Sequence, residues 1–303
     1  MLGRKNGLMS ATLAEKVFEA FNSGLMILIA IITLYPFWNS IIISFNESID
    51  ATRSPLYFWP RVFTFDNYAF ILKSNKLHSA VINSTLRTVL GTLLHLMYTG
   101  IAAYGLSKRW LMGRRIYMLI FIFTMYFSGG LIPTYMLYRS LGLLDNFLVY
   151  IVPNMWGFFN AILFMAYYES IPDALEQAAT IDGAGKFTIF FRIIFPASRP
   201  IFATIAVFTG VAQWNTWFDT ITFTTSDSLI TLQSLMTKMI NEAEAQKIMA
   251  ETMGESITRG LEIIKPVSVR IATLVITTFP ITVVYPFLQK YFVKGIMIGS
   301  VKG

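Results

Sequence analysis

The chain has 303 residues, of which 55% are apolar and only 14% charged, against about 25% charged in an ordinary soluble domain. This composition excludes a soluble enzyme, a disordered chain and a nucleic-acid module, and the net charge of +7 is better explained by membrane topology than by DNA binding. There is no Cys and there are two His, so disulfides, thiolate metal sites and cysteine nucleophiles are excluded and a zinc cluster lacks its ligands.

Six stretches carry no charge: 27 positions between Glu19 and Glu47, 20 between Arg87 and Lys108, 23 each between Arg115 and Arg139 and between Asp145 and Glu169, and 19 each between Arg199 and Asp219 and between Arg270 and Lys290. A helix needs about 20 residues to cross a hydrocarbon core about 30 Å thick. The pattern predicts an all-α membrane protein of six transmembrane helices near 22–45, 83–106, 114–139, 147–169, 198–222 and 268–291, forming a single integral-membrane domain over 1–303. A β-barrel would show alternating segments of about 10 residues instead.

Arg4, Lys5 and Lys16 precede the first apolar run. That run is too long for a signal-peptide core, contains Tyr35-Pro36 and lacks an Ala-x-Ala site, so it is expected to stay as a signal anchor. The loop at 46–82 carries Tyr57, Phe58 and Trp59 beside Pro60, amphipathic rings of the kind that seat at the membrane interface. In the second span, Arg87 is expected to snorkel outward and His95 to make a helix–helix bond.

The short loop at 108–115, Lys-Arg-Trp-Leu-Met-Gly-Arg-Arg, decides the orientation, because basic residues in short loops stay cytoplasmic. The N-terminus, this loop, the 169–199 segment and the C-terminus then share the cytoplasmic side, with thirteen basic residues against six acids. The opposite side holds eleven of each. Both termini are therefore expected in the cytoplasm and the loops 46–82 and 223–267 outside. Pro36, Gly129-Gly130 with Pro133, Pro153 with Gly157, and Pro280 with Pro286 interrupt the spans. Such breaks are either ordinary kinks whose freed backbone groups neighbours satisfy, or places where a path is lined.

Between the fourth and fifth spans the connector at 171–196 reads as two short helices around a break. Pro172 suits a helix start, with Asp173 and Glu176 in the first turn complementing the dipole. Ala174, Leu175, Ala178 and Ala179 offer a small apolar face, Gly183 and Gly185 allow conformations closed to other residues, and Asp182 is placed to cap the second helix, which runs to Pro196. The unit lies across the membrane surface and joins two spans, so a push on it reaches both.

This segment resembles the signature of integral-membrane permeases of bacterial ABC importers, Glu-x-Ala-Ala-(three residues)-Gly-(nine residues)-Ile-x-Leu-Pro. Glu176, Ala178, Ala179, Gly183, Ile193 and Pro196 stand at the required spacings, with Phe195 where Leu is usual. The rest of the chain is similar to carbohydrate-uptake permeases of the maltose type, in Asn67-Tyr68, Asn83-Ser84, Ser128-Gly-Gly-Leu-Ile-Pro133, Thr134-Tyr135, Trp214-Asn215 with Trp217, and the tail Tyr291–Ser300. The branch it most resembles handles oligosaccharides and polysaccharide fragments, alginate among them. The resemblance implies a bacterial inner-membrane complex. In it a second homologous permease completes the pathway, two ATPase subunits bind ATP and Mg, and an extracytoplasmic sugar-binding protein delivers the cargo. Residues Glu176, Gln177, Ala178, Ala179, Asp182, Gly183, Ala184, Gly185, Ile193 and Pro196 would then form the coupling element that docks on one ATPase.

The chain has no catalytic or cofactor site of its own by this reading. Gly183-Ala-Gly-Lys186 is not a P-loop, since a P-loop needs Gly-x-x-x-x-Gly-Lys-Ser/Thr and positions 180 and 187 are Thr and Phe. For substrate contact, Gln213, Asn215 and Thr216 can bond sugar hydroxyls, while Trp214 or Trp217 offers a flat face to a pyranose ring. The same groups can equally bond between helices. In the 223–267 loop, Glu242, Glu244, Glu251, Glu255 and Glu262 alternate with Lys238, Lys247, Arg259 and Lys265, the pattern of a solvated helical face; the resemblance adds contact with the binding protein. An ion-coupled transporter would place carboxylates inside the spans, and a membrane enzyme would need acid–base or metal residues there. Both are disfavoured. An importer of amino acids, peptides or metals shares the same signature and stays open.

Overall fold

The computed structural model describes residues 12–253 and 267–300. Arg4, Lys5, Glu255, Arg259, Glu262, Lys265 and Lys302 lie outside the described residues, as do the side chains of Lys247, Glu251, Pro286, Lys290 and the 291–300 tail. The described chain is helical; its one β feature is an isolated bridge between Asn46 and Phe63. Two compact units divide it: Met1–Phe70 with Lys265–Val275, and Ile71–Ile264 with Ile276–Gly303.

In the first unit, helix α1 (Leu13–Ser44) opens with a capping box, Thr12 Oγ1 accepting from the Glu15 amide at 3.3 Å and Glu15 Oε2 from the Thr12 amide at 2.7 Å. Both orphan donors are thereby used. Its apolar side chains face outward almost throughout, and only Ile42 and Ser44 are buried, as suits a span whose solvent is lipid. Short helices α2 (Ser48–Arg53) and α3 (Asp66–Leu72) follow. Asn67 Nδ2 donates to the Ser44 and Asn46 carbonyls at 2.9 and 2.8 Å, and Tyr68 shares a hydroxyl bond with Ser44 at 2.8 Å. The Arg61 guanidinium gathers the Asp50 carboxylate at 3.0 Å and the Asp50 and Ser54 carbonyls. The Asn46 side-chain amide, and after it Arg61, hold the Asp50 carboxyl below its usual range. Trp59 and Phe58 are exposed, with Trp38 Nε1 donating to the Phe58 carbonyl at 3.3 Å.

The second unit is built on α4 (Asn75–Ser107). Behind it come α5 (Arg114–Tyr126), α6 (Leu131–Ser140), a 3-10 stretch over Phe147–Asn154, α7 (Phe158–Tyr168), α8 (Asp173–Ile181), α9 (Lys186–Ala197), α10 (Arg199–Asn215), α11 (Phe218–Phe223), α12 (Leu232–Met253) and α13 (Val267–Ser300, shared with the first unit). The core lies where α4 meets α7, α9 and α10, around Ala103, Phe164, Ile189 and Ile205. Small residues on α4 let side chains of its neighbours reach its backbone: a Cβ on Gly100 would lie 2.8 Å from the Phe202 ring, and one on Gly91 2.8 Å from Gln213 Nε2.

Of the six charge-free windows, α1 and α4 are continuous helices long and apolar enough to cross a bilayer. Two others are bent pairs, α5 with α6 at 113° and Phe147–Asn154 with α7 at 44°; the fifth window begins in α10, which meets α9, itself outside the window, at 81°. The last bend falls at Ser198, between α9 and α10. The sixth window begins α13, apolar over Val267–Val283.

Candidate coupling surface and translocation pathway

Helix α8 starts at Asp173 with Pro172 at its N-cap, and it ends in a Schellman motif. The Gly183 amide bonds the Thr180 carbonyl at 3.1 Å and the Ala184 amide bonds the Ala179 carbonyl at 2.9 Å. That closure needs a left-handed residue, and Gly183 has φ +81°. Asp182 is therefore the C-cap of α8. It does not cap the second helix, as the sequence suggested, because the left-handed turn intervenes and Gly185 takes that N-cap position with no side-chain bond. Helix α9 reaches Ala197, with a π turn over Phe190–Ile194.

The ten residues of the expected coupling element divide by exposure. Gln177, Ala178, Asp182, Gly183 and Gly185 are exposed, Glu176, Ala184, Ile193 and Pro196 are half-buried, and Ala179 is buried against the core. Large apolar side chains flank the exposed set, Ile181 at 86% and Phe187 at 70% exposure. Glu176 points back to the end of α4: its carboxylate pairs with the Lys108 ammonium and accepts from the Tyr104 hydroxyl at 3.0 Å. Lys108 also lies 4.4 Å from the Tyr104 ring centre. Arg114 pairs with Glu169 at 2.6 Å and donates to the Leu106 carbonyl at 2.7 Å. The 107–115 loop and the 169–196 unit are thus joined by two ion pairs.

Toward the other end of α4, its polar side chains serve the breaks in the neighbouring spans. His95 Nδ1 meets the Asn154 carbonyl at 2.7 Å and its Nε2 the Asn160 amide at 2.8 Å. Thr99 donates to the Met155 carbonyl at 3.0 Å. His95 therefore makes the helix–helix bond expected of it. Arg87 does not snorkel. It is 1% exposed, pairs with Asp219 at 2.6 Å, donates to Gln213 Oε1 and to the Thr216 carbonyl, and lies 4.6 Å from the Tyr150 ring centre. Extending toward water would leave Asp219 unpaired in a low-dielectric setting, which is the costlier arrangement. Farther along, Asn83 Nδ2 donates to the Ser228 and Ile230 carbonyls at 2.7 and 2.9 Å, and Ser84 Oγ accepts from the Leu232 amide at 2.8 Å.

The candidate pathway residues are separated by this packing. Gln213 is buried between Arg87 and the Tyr150 carbonyl. Trp214 is half-buried, its Nε1 donating to the Thr277 carbonyl at 3.1 Å. Asn215 is exposed, its side-chain oxygen accepting from Gln233 at 3.2 Å, and Trp217 is 41% exposed where the chain passes from α10 to α11. Sequence reading passed over the pairing of Arg87 with Asp219 and of Lys108 with Glu176. A signal existed: Arg87 opens one charge-free window and Asp219 closes another, on the side the topology assigns to the exterior in both cases.

Residues 80–298 match the family model described as the binding-protein-dependent transport system inner membrane component. The chain belongs to that family. It is 34% identical over 289 residues to the polygalacturonan/rhamnogalacturonan transport system permease protein YtcP of Bacillus subtilis (strain 168), covering 95% of this chain and 99% of that one. It is 26% identical to the arabinooligosaccharides transport system permease protein AraQ of Halalkalibacterium halodurans, over 91% of this chain and 93% of the relative. Among solved structures, a chain from the crystal structure of a bacterial ABC transporter involved in the import of the acidic polysaccharide alginate superposes with a TM-score of 0.81. That chain is 29% identical, with 93% of this chain and 99% of the other covered. This permease is accordingly an inner-membrane transport subunit, and the resemblance drawn from the 176–196 signature holds.

Proposed function

We propose that this permease is half of the translocation pathway of a bacterial ATP-driven importer of sugars or oligosaccharides, and that polysaccharide fragments of uronic acids are its cargo. It forms one integral-membrane domain over 1–303, crossing the membrane six times with both termini in the cytoplasm. A second, homologous permease chain completes the pathway, two ATPase subunits hold ATP and Mg, and an extracytoplasmic binding protein delivers the sugar to the outer loops 46–82 and 223–267. Two of the proteins named above belong to systems for polygalacturonan/rhamnogalacturonan and for alginate, and the third to one for arabinooligosaccharides, which supports the substrate class.

The observation that carries the coupling role is the construction of the 172–196 unit. Its residues Gln177, Ala178, Asp182, Gly183 and Gly185, two of them signature positions, face outward beside Ile181 and Phe187, while Glu176 fastens its first helix to α4 and Ala179 packs inward. Ala184 and Ile193 pack the second helix against the core, and Pro196 is half-buried near its end. A partner pressing on the exposed side moves α4 and α10 as rigid bodies, and nucleotide on the partner shifts the balance between inward-facing and outward-facing forms. At the other end Asn215 and Trp217 touch the sugar, with Gln213 and Trp214 behind them.

The test is ATP hydrolysis by the reconstituted complex against galacturonate, alginate, neutral and arabino-oligosaccharides, with amino acids and peptides as controls. Stimulation by uronate oligosaccharides is expected; stimulation by amino acids or peptides alone overturns the substrate class. A Gly183→Val chain should insert but lose its ATPase, because a β-branched residue at φ +81° breaks the turn. Normal stimulated hydrolysis by that variant removes the coupling role, and labelling of a tag in 108–115 from outside intact cells removes the orientation.

A further inference from the structure

We propose that Arg87 is the positioning residue of the elbow between α10 and α11, setting the direction in which Asn215 and Trp217 are displayed. This deepens the pathway reading above and rests on it. A guanidinium has five N–H groups, and here five contacts are made. Nε and Nη2 reach Gln213 Oε1 at 3.3 and 3.2 Å, Nη1 reaches the Thr216 carbonyl at 3.2 Å and Asp219 Oδ1 at 3.1 Å, and Nη2 reaches Asp219 Oδ2 at 2.6 Å.

The acceptors sit on both sides of the elbow. Gln213 is in the last turn of α10, Thr216 is its C-cap, and Asp219 is in the first turn of α11. The Asp219 carboxylate also accepts from the Thr220 amide at 2.8 Å. Neutralising a buried charge would take the carboxylate alone. Reaching the last turn, the freed carbonyl and the next helix together fixes an angle, and a planar fork does this where a point charge cannot. The Tyr150 ring closes the remaining face of the guanidinium. Between the anchored ends, Asn215, Trp217 and Phe218 are the exposed side chains, and of these Asn215 and Trp217 pair a hydrogen-bonding amide with a flat ring.

The experiment uses the whole complex in vesicles, with binding protein saturated by a galacturonate oligosaccharide, and reads ATP hydrolysed per sugar delivered. That ratio does not depend on how much complex inserts, so a loss of folded protein leaves it unmoved. Arg87→Lys keeps the charge and loses the fork; Arg87→Met with Asp219→Leu removes both charges and keeps the volume, a replacement that buried ion pairs often tolerate. Both are expected to raise the ratio several-fold, and Trp217→Ala to raise it as well. If Trp217→Ala raises it while Arg87→Lys leaves it at the wild-type value, Arg87 only balances charge and the inference is overturned; full recovery in the double variant says the same. If Trp217→Ala leaves it unchanged, the pathway reading fails first and the role of Arg87 falls with it.

Discussion

Two kinds of broken span stand side by side in the second unit. At 154–157 and at 216–217 the freed carbonyls are met by side chains of another helix, His95, Thr99 and Arg87 of α4. At 127–130 the chain turns through 113° with local bonds only: the Gly130 amide donates to Ser128 Oγ at 3.3 Å, and Thr134 Oγ1 donates to the Gly130 carbonyl at 2.8 Å. The first kind buries its polar residues inside the chain. The second leaves α5 and α6 without a buried residue. An unmet backbone group in hydrocarbon costs several kcal/mol, so each break must be satisfied, but only the first kind fixes one helix against another. A break held by α4 moves with α4. The elbow at 127–130 presents its surfaces to whatever surrounds the chain, lipid or a partner subunit.

The sharpest way to break this contrast is Gly157→Val. A Cβ at Gly157 would lie 2.8 Å from His95 Cε1, so the ring must leave its bonds to Asn154 and Asn160. Overpacking costs about 1–3 kcal/mol and an orphaned carbonyl about 1–3 kcal/mol more. Thermal unfolding in detergent should show a large loss; a wild-type transition would mean that His95 does not hold the break.

Gly130→Ala probes the other kind. No neighbour lies within 4 Å of a Cβ there, yet φ is +86° with ψ 178°, a conformation essentially reserved for glycine, so the cost is local backbone strain, about 1–3 kcal/mol. The loss should be smaller than for Gly157→Val. A larger one would mean that the elbow is as deeply built into the fold as the α4-held breaks.

Much of this arrangement was legible in the sequence. Charge-free windows located the helices, and Gly129-Gly130 and Pro153 with Gly157 marked two of the bends correctly. The 176–196 spacing marked the two-helix unit with its glycine break, because the constraint is local: a left-handed glycine after a short amphipathic helix. What stayed hidden was pairing at long range. Arg87 and Asp219 lie 132 residues apart, and taken alone an arginine near a span end has snorkelling as its cheapest choice. Asp182 was misjudged for a different reason. Its side chain suits a cap, but the Schellman turn at Gly183 places it at the end of one helix rather than the start of the next.

Asp145 joins the two kinds of region, and it gives the smallest expected effect. It follows α6, adopts φ 51°, and its Oδ1 accepts from the Thr225 and Ser226 amides at 3.0 and 2.8 Å, just after α11. The Ser226 amide first, and then the Thr225 amide, hold its carboxyl below the usual range. A carboxyl lowered by folding contributes stability that is present above its unfolded value of about 3.9 and lost as pH falls through the folded value. Asn tolerates positive φ, so Asp145→Asn removes the charge while leaving the turn. The variant should melt slightly below wild type at neutral pH, and the two should converge as the solution is acidified. A gap that persists unchanged into acid would mean that the charge is idle and that the turn's own backbone, including the bond from the Asp145 amide to the Phe223 carbonyl at 2.9 Å, ties the end of the bare pair to the helices held by α4.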